Sequence, residues 1–303
     1  MEKKNSPQDI YQQVTDLIIQ KLEQGIIPWQ KPWSSYGLPK NYITGKEYRG
    51  INALLLHMLL YEYPYFLTFK QAKDLGGSVM KGSRASIVTY WNWLYYDRNG
   101  NRVTNPRPDQ IKYLEKRAFL RYFNVFNISQ VEGIEWKLPA LQSNSHLGVP
   151  VKAARMVSFL KAKLPDIRVK GDKAYYVPAE DCIIMPDYKL FVIQEAFYAT
   201  LFHEIIHSTG HLKRLNRDGI TLPTHFGSYD YGKEELIAEM GASFLCQEVG
   251  ILNDTLANSA AYLQSWLTTI KQDKRLLVTA AAQAQKAVDW LLGSRHDEDH
   301  AHA

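Results

Sequence analysis

HEIIHSTGHLKRLNR, residues 203–217, decides how this chain is read. His203 and His207 stand four residues apart with Glu204 beside the first, the pattern H-E-x-x-H, and His211 follows four residues later. Residues four apart in a helix lie on one face, about one turn above each other, so two imidazoles can converge on one ion. Glu204, adjacent to the first histidine, points toward the edge of the same cleft, where it can take a proton from water at the metal instead of binding the ion. The surrounding run FVIQEAFYATLFHEIIHSTG reads as a helix: Phe197, Leu201 and Ile205 form an apolar row, Phe202 and Ile206 widen it, and Gly210 supplies the stop.

A zinc site that keeps one position for water needs a third protein ligand. The long signature H-E-x-x-H-x-x-G-x-x-H would place a histidine where Lys213 stands, so that version fails. His211 follows Gly210, where the helix should end, and is expected to point away from the metal. Downstream, GKEELIAEMGASFLCQEVG opens a second apolar-periodic helix with Glu234, Glu235 and Glu239 near its start. Helix-dipole preference accounts for Glu234. Glu235 and Glu239 are again four apart, which suits one carboxylate on the metal and the other orienting a ligating histidine; the spacing leaves open which does which.

The pairing of H-E-x-x-H with E-x-x-A-E resembles the gluzincin arrangement. The fuller run, with FGS and EELIAEMGASFLC, resembles the zincin-like C-terminal domain of ArdC-type antirestriction proteins of conjugative plasmids and related mobile elements. The resemblance implies His203 and His207 as ligands, Glu204 as general base, Glu235 as third ligand and Glu239 as supporting acid or alternative ligand, holding Zn2+ in a metallopeptidase. His225, Tyr229 and Tyr231, between the two metal helices, are candidate oxyanion stabilisers.

The chain has 303 residues, 46% hydrophobic and 22% charged, enough for two domains with a real core. No apolar run is long enough to span a membrane, and MEKKNSPQDIYQQ has no apolar signal region, so a cytoplasmic protein is expected. Cys182 and Cys246 are too few for a disulfide framework and read as reduced core thiols.

Charge is unevenly placed. Residues 1–150 carry 19 Lys/Arg against 12 Asp/Glu, whereas residues 151–303 carry 17 against 19. The basic half also holds 12 of the 19 Tyr. Aromatic and basic residues interleave in IIPWQKPWSSYGLPKNYITGKEYRGIN (26–52) and SIVTYWNWLYYDRNGNR (86–102). Single-stranded nucleic acid uses this combination, with rings stacking on unpaired bases and cations meeting phosphates. Trp29, Lys31, Trp33, Lys40, Tyr42, Lys46, Tyr48 and Arg49 are the expected contacts. W-x-K-P-W, P-K-N-Y-x-T-G-K-x-Y-R-G-I-N and LTFKQAKDLGGSVMKGS resemble the N-terminal single-stranded-DNA-binding domain of ArdC-type proteins, also found in TraC-type primases. The chain shows no catalytic acidic cluster of a primase, so polymerisation is not expected.

The expected fold is α+β with two domains: an N-terminal α+β single-stranded-DNA-binding domain (1–130), a linker (131–150) that loses periodicity, and a mainly helical zincin-like domain with a small sheet (151–303). Helices are expected at 7–24, 50–62 and 151–164, and strands at 86–96, 117–127, 174–178 and 182–186. From residue 191 onward the chain reads as helical except for a loop at 212–232, and the tail SRHDEDHAHA as disordered. The function implied is antirestriction, with single-stranded DNA and a protein substrate of unknown identity as partners. The alternatives are a non-proteolytic DNA-binding protein with a structural metal and a replication or primase-accessory factor.

Overall fold

The computed structural model describes residues 7–30, 37–138, 148–223, 225, 227–251 and 260–293. Lys31, Trp33, part of the expected linker and the polar tail lie outside the described residues. The architecture is α+β. In chain order the N-terminal half contains α1 (Pro7–Glu23), β1 (Lys40–Asn41), α2 (Ile51–His57), β2 (Tyr65–Thr68), α3 (Phe69–Asp74), β3 (Ser78–Val79), β4 (Ser86–Tyr96), β5 (Arg102–Val103), α4 (Pro108–Ile111), β6 (Glu115–Asn127) and β7 (Val131–Glu132). The C-terminal half contains α5 (Val149–Leu160), β8 (Asp166–Val169), β9 (Tyr175–Val177), β10 (Cys182–Met185), α6 (Gln194–Thr209), α7 (Asp218–Thr221), α8 (Tyr229–Val249), α9 (Ala260–Gln272) and α10 (Leu276–Leu292).

The first half is organised on a five-stranded sheet in the order β1-β2-β6-β4-β5, in which the long strands β4 and β6 pair antiparallel from Ser86↔Val125 to Tyr96↔Glu115. The period-two alternation of these two segments explains why they pair along their whole length. The second half has a three-stranded sheet, β8-β10-β9, with β9 at one edge, and helices packed around α6 and α8. Among the described residues, no helix is long and apolar enough to cross a membrane. Both cysteines are buried, and neither is in a disulfide.

Three boundaries differ from expectation. The chain leaves α2 at His57 and turns through Leu60 in a left-handed conformation, since it must reverse into β2. The expected linker begins with structure: β7 pairs with β3, Val131 is buried, and Trp136 packs edge-on against Tyr42 at 4.8 Å. Periodicity is lost there because the strand is two residues long and the chain bends at Gly133, whose φ is 83°. Finally, α8 starts inside the expected loop, because the Ser228 hydroxyl accepts from the Tyr231 N–H and caps it.

The two halves share one hydrophobic core. Ile10, Val14, Ile18 and Leu22, the apolar row of α1, cluster with residues of α6, α8 and α10. Thr15 donates to the Lys274 carbonyl at 2.9 Å, and Arg49 of the first half pairs with Asp289 of α10. Burying such a row contributes about 1.5–3 kcal/mol per side chain, so α1 holds the halves together.

Where α2 meets α8, His57 Nε2 lies 3.4 Å from Gln247 Nε2, and burial lowers the imidazole pKa from 6.5 to about 3. The unfolded chain takes up this proton below pH 6.5, whereas the folded chain excludes it until about pH 3. The stabilisation is therefore complete above pH 6.5 and is lost as pH falls toward 3, by at most on the order of 3–5 kcal/mol. Urea unfolding of His57→Gln is expected to show a shallower loss of stability than wild type between pH 6.5 and 4; parallel curves would show that other groups drive acid unfolding.

Candidate metal centre

Buried Leu201, Phe202, Ile205 and Ile206 turn one side of α6 into the core, which directs His203, Glu204 and His207 toward a cleft. Helix α8 crosses close by. A Cβ on Gly241 would lie 2.8 Å from Ile206 Cδ1, so glycine permits the approach that carries the α8 acids to the histidines. A second close contact, Gly219 of α7 against Glu234, where a Cβ would sit 2.9 Å from the Glu234 Cβ, closes the far side.

Three donors converge. His203 Nε2 and His207 Nε2 are 3.0 Å apart, and Glu235 places Oε2 3.5 Å from the first and Oε1 3.5 Å from the second. His203, His207 and Glu235 are the grouping among the described residues whose ligand atoms lie close enough to share an ion. The other ring nitrogens face acids: His207 Nδ1 is 3.4 Å from Glu234 Oε1, and His203 Nδ1 is 3.8 Å from Glu239 Oε1. Among the described residues, His203 Nδ1 and Glu239 Oε2 are buried without a hydrogen-bond partner.

The donor chemistry fits a cation. A histidine that gives its Nδ1–H to a carboxylate turns the Nε2 lone pair outward, and His207 does so toward Glu234 while its Nε2 meets the Nε2 of His203 and the Glu235 carboxylate in one place. Without a cation the cluster draws protons. Burial works against charge on both rings, yet the surrounding carboxylates, Glu235 first among them, together outweigh it and raise both histidine pKa values. Burial opposes the charge on Glu235 as well, but the histidines hold its carboxyl far below the usual range. Burial pushes Glu239 up.

Glu234 has a larger part than the helix dipole suggests. It is 4% exposed and bound by Arg217, whose Nε donates to Oε2 at 3.0 Å and whose Nη2 also donates to the Ile206 carbonyl at 2.8 Å. Arg217 thus neutralises the acid behind His207 and ties it to α6. The sequence signal was present in RLNR, at the end of the opening stretch, but only contact across the chain reveals its partner. His211 is apart from the cluster; its Nδ1 accepts from the Lys213 N–H at 3.2 Å and lies 3.7 Å from Asp181.

The cleft, about 600 Å³, is lined by Tyr175, Tyr176 and Pro178 on the β9 side and by His203, Glu204, His207, Tyr231 and Glu235 on the helical side. Of the three oxyanion candidates, Tyr231 lines it. Tyr229 does not: its hydroxyl donates to Asp273 Oδ2 at 2.6 Å, because residues two apart in a helix point about 200° apart. His225 is exposed and is not among the lining residues.

The expected DNA contacts fare differently. Trp29 has no exposed surface, packs edge-on to Trp266 at 5.3 Å, and its carbonyl accepts from Ser243 of α8; it is a core residue, and no base can reach it. Lys40 pairs with Glu47 at 3.6 Å, Arg49 with Asp289, and Tyr48 packs edge-on to Phe66. Tyr42 packs against Tyr65 and Trp136, and Lys46 is exposed. The described residues of this segment spend most of their aromatic and basic groups on the fold.

Fold and site define a two-domain α+β protein whose C-terminal half has the zincin-like metallopeptidase fold. Residues 154–283 match the model of the zincin-like metallopeptidase family, and residues 8–126 match that of the N-terminal domain of antirestriction factor ArdC. The chain is 36% identical to the metal-free crystal structure of the antirestriction ArdC protein from the R388 plasmid, with a TM-score of 0.74, covering 94% of this chain and 97% of that one. The Mn(II)-bound structure of the same protein gives 37%, a TM-score of 0.72, and 95% and 99% coverage. Protein y4eC of Sinorhizobium fredii (strain NBRC 101917 / NGR234) is 33% identical over 96% of this chain and 94% of its own length. A DNA primase TraC of Escherichia coli is 35% identical over 93% of this chain, which spans only 27% of that protein's length. The chain belongs to the ArdC antirestriction family. Its zincin-like fold implies a metal.

Proposed function

We propose that this protein is an antirestriction factor of a mobile element that binds single-stranded DNA with its N-terminal half and hydrolyses protein with a zinc centre in its C-terminal half. The observation that carries the reading is the convergence of His203, His207 and Glu235 on the wall of a cleft that also presents Glu204. These three residues would hold zinc, with Glu239 as the alternative third donor. When bound, zinc supplies a Lewis acid that polarises a scissile carbonyl and acidifies water.

The remaining roles belong to the chain. Glu204 accepts a proton from the attacking water and delivers it to the departing amine. Glu234 holds the His207 imidazole by its Nδ1 side, Glu239 stands opposite His203 Nδ1, and His207 and Arg217 keep Glu234 ionised despite its burial. The Tyr231 hydroxyl is the oxyanion donor on the cleft wall. The edge of β9, unpaired among the described residues, offers backbone groups to an extended peptide.

A DNA-binding half joined to a hydrolytic half raises the concentration of the metal site near other proteins on the same strand. Incubation of the full chain with zinc and single-stranded DNA is expected to yield cleavage products, including self-cleavage, that are absent with Glu204→Gln, without DNA, or with chelator. The placement of the donor cluster between α6 and α8 favours a second reading, in which the metal only fastens the C-terminal half. Antirestriction in cells that persists in Glu204→Gln would promote that reading over hydrolysis.

A further inference from the structure

The net positive charge of the N-terminal half is concentrated in one place. Residues 86–127, the β4–β6 hairpin with its connection, carry seven Lys/Arg against three Asp/Glu, a net of +4 out of the +7 for residues 1–150. Cross-strand partners of an antiparallel pair project to the same side of the sheet. The register Val88↔Phe123, Tyr90↔Arg121, Asn92↔Phe119, Leu94↔Arg117 and Tyr96↔Glu115 therefore puts Tyr90, Tyr96, Arg117, Phe119, Arg121 and Phe123 on one face.

These six side chains form a ladder. Tyr90 and Phe123 are stacked with centroids 4.8 Å apart and planes 6° from parallel. The Arg121 guanidinium lies 5.0 Å from the Phe119 ring and reaches the Tyr90 hydroxyl at 3.5 Å, and Arg117 lies 4.5 Å from the Tyr96 ring. Phe123 is 39% exposed, and Arg117 and Arg121 are exposed. Arg117 is paired with Glu115, but among the described residues Arg121 has no carboxylate partner. The core begins at the base of the same face, where Val88 and Val125 are buried with Leu56 and Phe66. On the opposite face Leu120 is buried, and Trp91 lies 6.3 Å from Tyr11 of α1.

We propose that the strand of DNA lies along this ladder, with unpaired bases stacked on the Phe119, Phe123 and Tyr90 rings and phosphates met by Arg121 and Arg117. Alternation along β6 sets a ring, a cation and a ring at steps of about 7 Å, so a base and its phosphate are served in turn. Duplex bases offer no free ring face to such a ladder, so the surface discriminates for single strands. The inference rests on the reading of the N-terminal half as a single-stranded-DNA-binding domain, and it moves the contact surface from residues 26–52 to a face whose second strand was not singled out by composition.

The test uses the full chain and a fluorescein-labelled oligothymidylate, with affinity read by anisotropy over a range of salt. Phe123→Leu, which keeps apolar volume and removes the flat ring, is expected to weaken binding by about 5- to 100-fold. Arg121→Gln at its exposed position is expected to weaken binding and to lower the salt slope by about 1, with an unchanged melting temperature. Lys173→Gln, the same charge loss in the other half, is expected to stay within about twofold of wild type. Wild-type binding with all hairpin variants retaining affinity and slope would overturn the ladder. Absence of wild-type binding to single strands would overturn the underlying DNA-binding reading instead.

Discussion

Glu235→Ala is expected to lower bound metal from about one ion per chain to near zero after dialysis, with an affinity loss above the 10- to 100-fold typical of an outer-sphere partner. Its two oxygens bridge both histidines, each at 3.5 Å, so its removal leaves a two-imidazole site. His203→Ala and His207→Ala are expected to do the same. Glu204→Gln retains the metal, since Glu204 is not among the three converging donors, and loses only proton transfer. Elemental analysis beside a peptidase assay separates the two effects. Undiminished metal in Glu235→Ala would transfer the third position to Glu239, whose Oε1 is 3.8 Å from the other nitrogen of His203.

The second large effect is on stability. Trp29→Ala is expected to cost about 3–5 kcal/mol, because the ring is fully buried between the two halves and nothing small refills that volume. Trp29→Phe should cost much less, about 1–2 kcal/mol, since it keeps a ring against Trp266 and removes a buried indole N–H that has no hydrogen-bond partner among the described residues. Urea denaturation measures both. A Trp29→Ala protein with wild-type stability and weakened DNA binding would restore the ring to a stacking role.

The same residue shows what composition can and cannot distinguish. Trp29 sits in a run rich in rings and cations, and a ring that stacks on a base has the same sequence signature as a ring that fills a core. Arg49 is similar: its charge reads as a phosphate contact until its partner Asp289, 240 residues away, is in view. In the β4 segment the alternation of residues 86–96 selects a face, but that face is completed by Phe119, Arg121 and Phe123 from a strand 18 residues further on. Proline and glycine in 131–150 suggested a linker, yet Val131 and Trp136 act as isolated plugs with no periodicity to announce them.

Local periodicity alone determined that His203 and His207 share a face, that Glu204 stands at its edge, and that a later acidic helix was the place to look for the third donor. Helical spacing is a property of consecutive residues and needs no partner to fix it. Which of Glu234, Glu235 and Glu239 meets which nitrogen was decided by the tertiary structure: α8 crosses α6 at a depth set by Gly241 against Ile206, and Arg217, reaching back from the following loop, holds Glu234 behind His207. Three carboxylates within six residues differ by rotations of about 100° per residue, so only the packing of one helix on the other can tell a metal donor from the acids that orient it.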